Sequence, residues 1–273
     1  MTAVWGWTFV VVKDAIAQYP TLPFLTIRFA LALLVMIVIV RRLPGRRVLV
    51  VGAAVGVAVA AGYVLQTVAL QLPAAGNAGL ITGLFVVFTP LLERLTGRPV
   101  PWWAYVAVVT ALAGTVLLAG GGSIGIGLAE LMLLGCALAF ALQIVMLSHW
   151  SPGQPAGPLA LVQMATVTIL FAAPAAPALH PPPPSVWPAL VITGVFASAL
   201  AMLIQTWAQQ QLSASRTALI LSTEPAWALF FSVLLAGQRL GPVQALGAAL
   251  MLLAIFGYEV GTRLGARKIG AST

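Results

Sequence analysis

The sequence predicts an all-α integral membrane protein with ten transmembrane helices arranged as two inverted five-helix repeats. Three observations carry this expectation. Of the 273 residues, 61% are hydrophobic and only 7% charged, with a mean hydropathy of +1.07, whereas a soluble domain is roughly half apolar and a quarter charged. Apolar runs of about 20 residues, the length that crosses a bilayer, follow one another with short breaks. Short patterns in the first half recur in order in the second half at nearly constant spacing.

Taken in order, the ten candidate helices lie at about 2–18, 22–41, 48–71, 74–95, 100–120, 127–148, 156–176, 185–210, 214–236 and 241–262. The first starts at Met1 with neither a basic leader nor a small-residue cleavage site, so it reads as a span rather than a signal peptide. Pro20 and Pro23 separate the first two, and Arg41-Arg42-Leu43-Pro44-Gly45-Arg46-Arg47 forms a basic hinge before the third. Gly120-Gly121-Gly122-Ser123 cannot hold a helix cheaply. Pro181 to Pro184 makes a rigid extended linker. These lengths leave no room for a sizeable domain outside the membrane.

Topology follows from the basic residues. Cytoplasmic loops are rich in Lys and Arg, which places the Arg41–Arg47 loop, the Arg94/Arg98 loop and the tail with Arg263, Arg267 and Lys268 on the inside. Ten spans satisfy all three with both termini cytoplasmic, in a bacterial-type inner (plasma) membrane. Lys13, Arg28 and Arg239 are the basic residues left off that side. The net charge of +8 is thus explained by orientation in lipid, and nucleic acid is not expected as a partner.

The repeat rests on ordered matches. Gln66-Thr67-x-Ala69 recurs 139 residues later as Gln205-Thr206-x-Ala208, and Ala78-Gly79-Leu80-Ile81 recurs at the same spacing as Thr217-Ala218-Leu219-Ile220. Pro20-x-x-Pro23 recurs 135 residues later as Pro155-x-x-Pro158, which pairs Arg28 with Gln163. Pro101 pairs with Pro242. The expected units are residues 1–122 and 123–273, and an odd number of spans per unit forces opposite orientations. Inverted repeats are common in secondary transporters, whose sites lie near the midplane between the halves.

On these residues the chain resembles the drug/metabolite transporter superfamily, and within it the EamA family. The resemblance rests on Trp5-Gly6 with Lys13, Arg28-Phe29-x-x-Ala32, Ala75-Gly76-Asn77-Ala78-Gly79-Leu80-Ile81 with Pro90, Ala218-Leu219-Ile220-x-x-x-Glu224-Pro225, and Gly237-Gln238-Arg239-Leu240. It implies a ten-helix inner-membrane carrier, often an exporter of amino acids or other small metabolites. Gln238 stands where the family usually carries Glu, so any role of that carboxylate is absent here.

Eight residues are candidates for substrate binding. Arg28 lies inside the second run, where a charge costs about 3 kcal/mol on insertion scales and so faces protein or a water-filled cavity. With Lys13 it would attract a carboxylate or phosphate, the pair being concentrated toward the outer side. Its alternative is structural, bonded to helix-end carbonyls or Asp14. Lys13 can equally snorkel to the interface.

Glu224 is the one acid in the middle of a predicted span. Desolvation favours the protonated form of a carboxyl group, which suits it to bind and release a proton or to meet a substrate amine. Gln66, Asn77 and Gln205 offer neutral donors and acceptors for a polar metabolite, or bonds between helices. Trp207 and Trp227 are candidate aromatic walls, as are Trp5, Trp7, Tyr63, Phe85, Phe88 and Phe140. Trp102, Trp103, Trp150 and Trp187 fall at span ends and read as interface anchors. Gly52-x-x-x-Gly56, Gly79-x-x-x-Gly83 and Gly257-x-x-x-Gly261 allow close helix approach, either internally or in a homodimer.

Enzymatic chemistry is not expected. Gly121-Gly122-Ser123-Ile124-Gly125 matches a hydrolase pattern, but it falls in a loop, and both histidines, His149 and His180, lie at span ends. No phosphate-binding Gly-rich Lys-Ser/Thr loop occurs. Two histidines and one cysteine, far apart, argue against zinc, and no cofactor is expected.

The expected function is a secondary transporter working by alternating access around a cavity lined mainly by the first, third, fourth, sixth, eighth and ninth spans. Its expected partners are a small metabolite, the lipid bilayer and, through Glu224, protons. A drug or cationic-toxin exporter is the alternative within transport. Nucleotide sugars would call for more cavity cations. A non-transporting scaffold subunit is the alternative from another class, and it leaves the repeat and the midplane polar residues unexplained.

Overall fold

Helices account for the fold, and no strand occurs among the described residues. The structure, a computed structural model, describes residues 1–72, 78–118, 127–224, 226–227, 230–231, 234 and 241–270, without the side chains of residues 9, 10, 13, 80, 118 and 265–270. The helices are α1 Thr2–Ile16, α2 Thr21–Ile39, α3 Arg46–Ala69, α4 Ala78–Thr82, α5 Phe85–Leu95, α6 Trp102–Leu118, α7 Leu128–Trp150, α8 Ala156–Ala175, α9 Trp187–Val191, α10 Ala201–Gln209, α11 Ala214–Leu221 and α12 Pro242–Gly270. Between α9 and α10 the chain stays helical but winds as a π-helix over Ile192–Leu200.

Among the described residues six stretches are long and apolar enough to cross a membrane: Thr21–Ile39, Arg46–Ala69, Leu128–Trp150, Ala156–Ala178, Pro184–Gln209 and Pro242–Leu264. The expectation of ten reaches beyond these. α1 has 15 residues and α6 has 17, so both fall short of that length. The segment expected to be continuous over 74–95 is broken. Gly83 and Leu84 form a turn in which Leu84, Val86 and Val87 donate to carbonyls only three residues back. A glycine at the junction and Pro90 just beyond, which lacks an N–H, both weaken a straight helix there. The segment expected over 214–236 also breaks, at Ser222–Thr223, before Glu224.

The distribution of polarity is that of a protein dissolved in lipid. Val38, Val109, Ile169 and Phe256 stand exposed on helix surfaces, while Arg28, Gln143, Gln163, Gln205 and Gln209 are buried. A bilayer reverses the usual preference on the outside and requires backbone groups to be satisfied within helices. The chain is therefore a multi-pass membrane protein. Trp102, Trp150 and Trp187 are exposed at helix ends, where an interfacial anchor belongs.

The central packing brings α3 against α7 and α8, α2 against α8 and the π-helix, and α6 against α12. Small residues set the spacing. A Cβ added at Gly52 would stand 2.7 Å from Val162 Cβ, and one at Gly56 would stand 2.7 Å from Thr166 Cβ. This glycine pair therefore packs α3 onto α8 within the chain. Gly120–Gly125, including the hydrolase-like pattern, lies mostly or wholly outside the described residues, as do Asn77, Pro225 and Gly237-Gln238-Arg239.

The connections gather at two ends. At one, Tyr19 of the α1–α2 turn donates its hydroxyl to the His180 carbonyl, and Ser185 donates to Gln18 at 2.8 Å. At the other, Thr96 and His149 share a 2.7 Å hydrogen bond, and Gln210 donates to the Gln154 carbonyl at 2.8 Å. Arg216 pairs with Glu259 near the end of the α12 span. The second end also holds Glu93, whose carboxylate accepts from the backbone N–H of Ala214 at 3.3 Å and of Ser215 at 3.0 Å, and from the Ser215 hydroxyl. It thereby caps the N-terminus of α11 from the last turn of α5, where unpaired N–H groups and the helix dipole favour an anion.

Candidate functional site

A cavity in the middle of the bundle encloses about 820 Å3 of empty space, counting its open mouth. α1 contributes Trp5, Thr8 and Val12, and α3 contributes Val59, Tyr63, Gln66 and Thr67. Thr82 of α4 and Phe85 of α5 flank the Gly83–Leu84 break. α7 adds Phe140, Gln143 and Ile144, and α10 adds Met202 and Gln205. Leu221 closes α11 on one side of the second break, and Glu224 follows on the other. α2 adds Arg28.

Arg28 is 4% exposed, yet it has no carboxylate partner among the described residues. Its Nε donates to Ser198 Oγ at 2.8 Å, and one terminal nitrogen reaches the Tyr63 hydroxyl at 3.5 Å. The guanidinium carbon lies 4.8 Å from the Tyr63 ring centroid and 5.5 Å from that of Phe29. A guanidinium suits this place because its flat face stacks on aromatic rings while its edge still donates. Neither Asp14 nor a helix-end carbonyl holds it. Ser198 belongs to the π-helix, a winding that is rare and recurs at functional sites. Gly194 of the same segment lets α2 approach, since an added Cβ would meet the Arg28 carbonyl at 2.9 Å.

Amides line the α7–α10 wall. Gln205 donates to Gln143 Oε1 at 3.2 Å and to Gln209 Oε1 at 2.9 Å. Gln209 in turn donates to the Ile144 carbonyl at 2.8 Å and to Ser148 Oγ at 3.0 Å. Gln163 donates to Thr206 at 3.1 Å and lies outside the cavity lining.

Of the eight residues singled out from the sequence, Glu224, Arg28, Gln66 and Gln205 line this one cavity. Arg28 thus shares one space with Glu224. Trp207 and Trp227 do not line it. Trp207 is 58% exposed because Gln205 and Thr206 take the inward positions of that turn, and Trp227 stacks on Phe230 and Phe231. Asn77 and the Lys13 side chain lie outside the described residues. Thr8 and Thr82 join the lining unannounced, since single threonines in apolar helices carry no signal. Ser198 is likewise legible only once α2 and the π-helix are packed together.

The EamA-like transporter family matches residues 1–120 and 127–258. The chain belongs to the EamA-like transporter family. An uncharacterised transporter of Archaeoglobus fulgidus is 35% identical over 255 residues, covering 92% of this chain and 81% of that protein. A protein of known crystal structure shares the fold at a TM-score of 0.80 and 18% identity, covering 96% of this chain and 95% of its own. As a member of this family the chain is a multi-pass transporter-family protein, in line with its apolar helices and central cavity.

Proposed function

We propose that this EamA-family protein is a secondary transporter that exports amino acids or related small metabolites by alternating access, using two inverted five-helix repeats of residues 1–122 and 123–273. The observation that carries the reading is the pairing of the cavity lining. At the spacing of 135, Trp5 and Thr8 correspond to Phe140 and Gln143. At 139, Tyr63, Gln66, Thr82 and Phe85 correspond to Met202, Gln205, Leu221 and Glu224. All twelve residues line the one cavity. The helix breaks at Gly83–Leu84 and Ser222–Thr223 are also 139 residues apart. Two successive matches to the family further support a duplicated chain. A site shared in this way between two halves is what rocking of one half against the other requires.

The cavity is lined by a basic and an acidic side chain that do not pair with each other, Arg28 and Glu224. Neutral amides occupy the wall between α7 and α10. This suits a small molecule with an acidic and a basic end, and Glu224 is also the candidate for proton coupling. A cavity of this size reaching Glu224 favours transport over a scaffold role. The aromatic walls Trp5, Tyr63, Phe85 and Phe140 with Glu224 favour an organic cation as the second reading.

The orientation rests on the basic residues. A Cβ at Gly157, where α8 begins, would stand 3.1 Å from Val40, so the Arg41–Arg47 hinge belongs with the Gln154 and His149 end. Arg94, Arg98 and Arg216 share that end, which we assign to the cytoplasm.

A screen of thermal unfolding against amino acids, organic amines and nucleotide sugars tests the substrate class. Amino acids should raise the melting temperature of the purified protein. Stabilisation by amines alone would transfer the reading to cation export.

A further inference from the structure

The amide chain on the cavity wall has a direction, and the Ile144 carbonyl fixes it. That carbonyl can only accept, so the side chain of Gln209 must turn its NH2 group toward it, as it does at 2.8 Å. Gln209 Oε1 then faces Gln205 and needs a donor. Gln205 meets it with its own NH2 group at 2.9 Å and sends the other hydrogen to Gln143 Oε1 at 3.2 Å. Flipping any one amide would set two acceptors or two donors face to face. The chain therefore ends on the NH2 group of Gln143.

Among the described residues that group has no partner. Gln143 Nε2 is a buried donor without a hydrogen bond, on a side chain that is 3% exposed and lines the cavity. Unpaired buried donors are rare because each forfeits its hydration, and such an exception calls for an explanation. Leu, Ile or Met would fill the position without that penalty. From this geometry we infer that Gln143 is a specificity-determining residue whose NH2 group receives an acceptor oxygen of the transported molecule. This rests on the amino-acid reading above and assigns the acidic end of the substrate a neutral donor in the second half, besides Arg28 in the first. Gln205 and Gln209 act as positioning residues, since they set which face of the Gln143 amide is presented.

The test uses the full chain in detergent and measures binding of the twenty common amino acids, each beside the amine left when its carboxylate is removed. Gln143→Glu keeps an oxygen to accept from Gln205 but puts a second carboxyl oxygen, able to carry charge, where the NH2 donor stood. Gln143→Leu removes both donor and acceptor. Wild-type protein should prefer an amino acid over its amine. Gln143→Leu should bind that amino acid about tenfold more weakly, the scale of one lost hydrogen bond to a charged group, and Gln143→Glu at least as weakly, while amine binding does not fall in either. Melting of the ligand-free variants near that of wild type confirms that they fold. A variant pair that melts normally and keeps the wild-type preference would overturn the role of Gln143 and leave the amino-acid reading standing. Wild-type protein that binds no amino acid, or binds the amines equally well, would overturn both.

Discussion

Arg28 and Glu224 both line the cavity, and the roles proposed for them are tested separately. Glu224→Gln keeps the shape and hydrogen-bonding reach of the side chain but cannot release a proton. In proteoliposomes it should abolish uphill transport driven by a pH gradient and spare exchange of substrate for substrate. Unchanged uphill transport in that variant would end the proton-coupling proposal. Arg28→Lys keeps the charge but replaces the planar donor that bridges Ser198 and stacks on Tyr63. Substrate binding should weaken about tenfold, as for loss of one charged hydrogen bond, which a titration against the wild type would read directly.

Both residues were legible in the sequence because a charge inside an apolar run has few harmless explanations. Their surroundings were not. Tyr63 and Ser198 lie 35 and 170 residues from Arg28, and only tertiary packing joins them. The two tryptophans chosen as walls fail for a related reason. The sequence places Trp207 in a helix, but only the packed structure shows that Gln205 faces the cavity and Trp207 faces away.

Close packing of the elements brings those residues together. The π-helix of Ile192–Leu200 has no signature in the sequence, because its apolar residues would serve an α-helix equally well. Its fit against α2 depends on Gly194. Gly194→Ala would force a Cβ to 2.9 Å from the Arg28 carbonyl and 3.0 Å from Leu31 Cβ. Overpacking of this kind should destabilise by about 1–3 kcal/mol, seen as a lower melting temperature in detergent, and should weaken substrate binding through Arg28.

The cap on α11 is a second element-scale dependence. Glu93→Ala leaves two backbone donors and the Ser215 hydroxyl without their acceptor. A loss of about 1–3 kcal/mol is expected for unpaired buried groups, again measured by thermal unfolding. The breaks in the two helices expected to be continuous, at 83–84 and 222–223, were legible only in part. Gly83 and Pro90 hinted at the first, and Pro225, which denies the Leu221 carbonyl its usual donor, hinted at the second.

At the scale of the molecule, composition alone was enough for a membrane protein, and the spacing of short patterns was enough to suggest two halves. Among the described residues six apolar helices meet the length of a span on their own. The proposed ten-span, two-repeat arrangement draws its support from the paired lining of the cavity and from the connections gathered at two ends. Alternating access requires that this cavity open to each side in turn. Cys136 is buried and is the only cysteine, so Cys136→Ala gives a background in which a single new thiol can be followed. Gln66→Cys places that thiol on the cavity wall. The decisive measurement is its labelling by a membrane-impermeant maleimide applied to either face of sealed vesicles. Labelling from both faces, in vesicles that retain a trapped dye, is the result predicted. Labelling from one face alone would contradict the account.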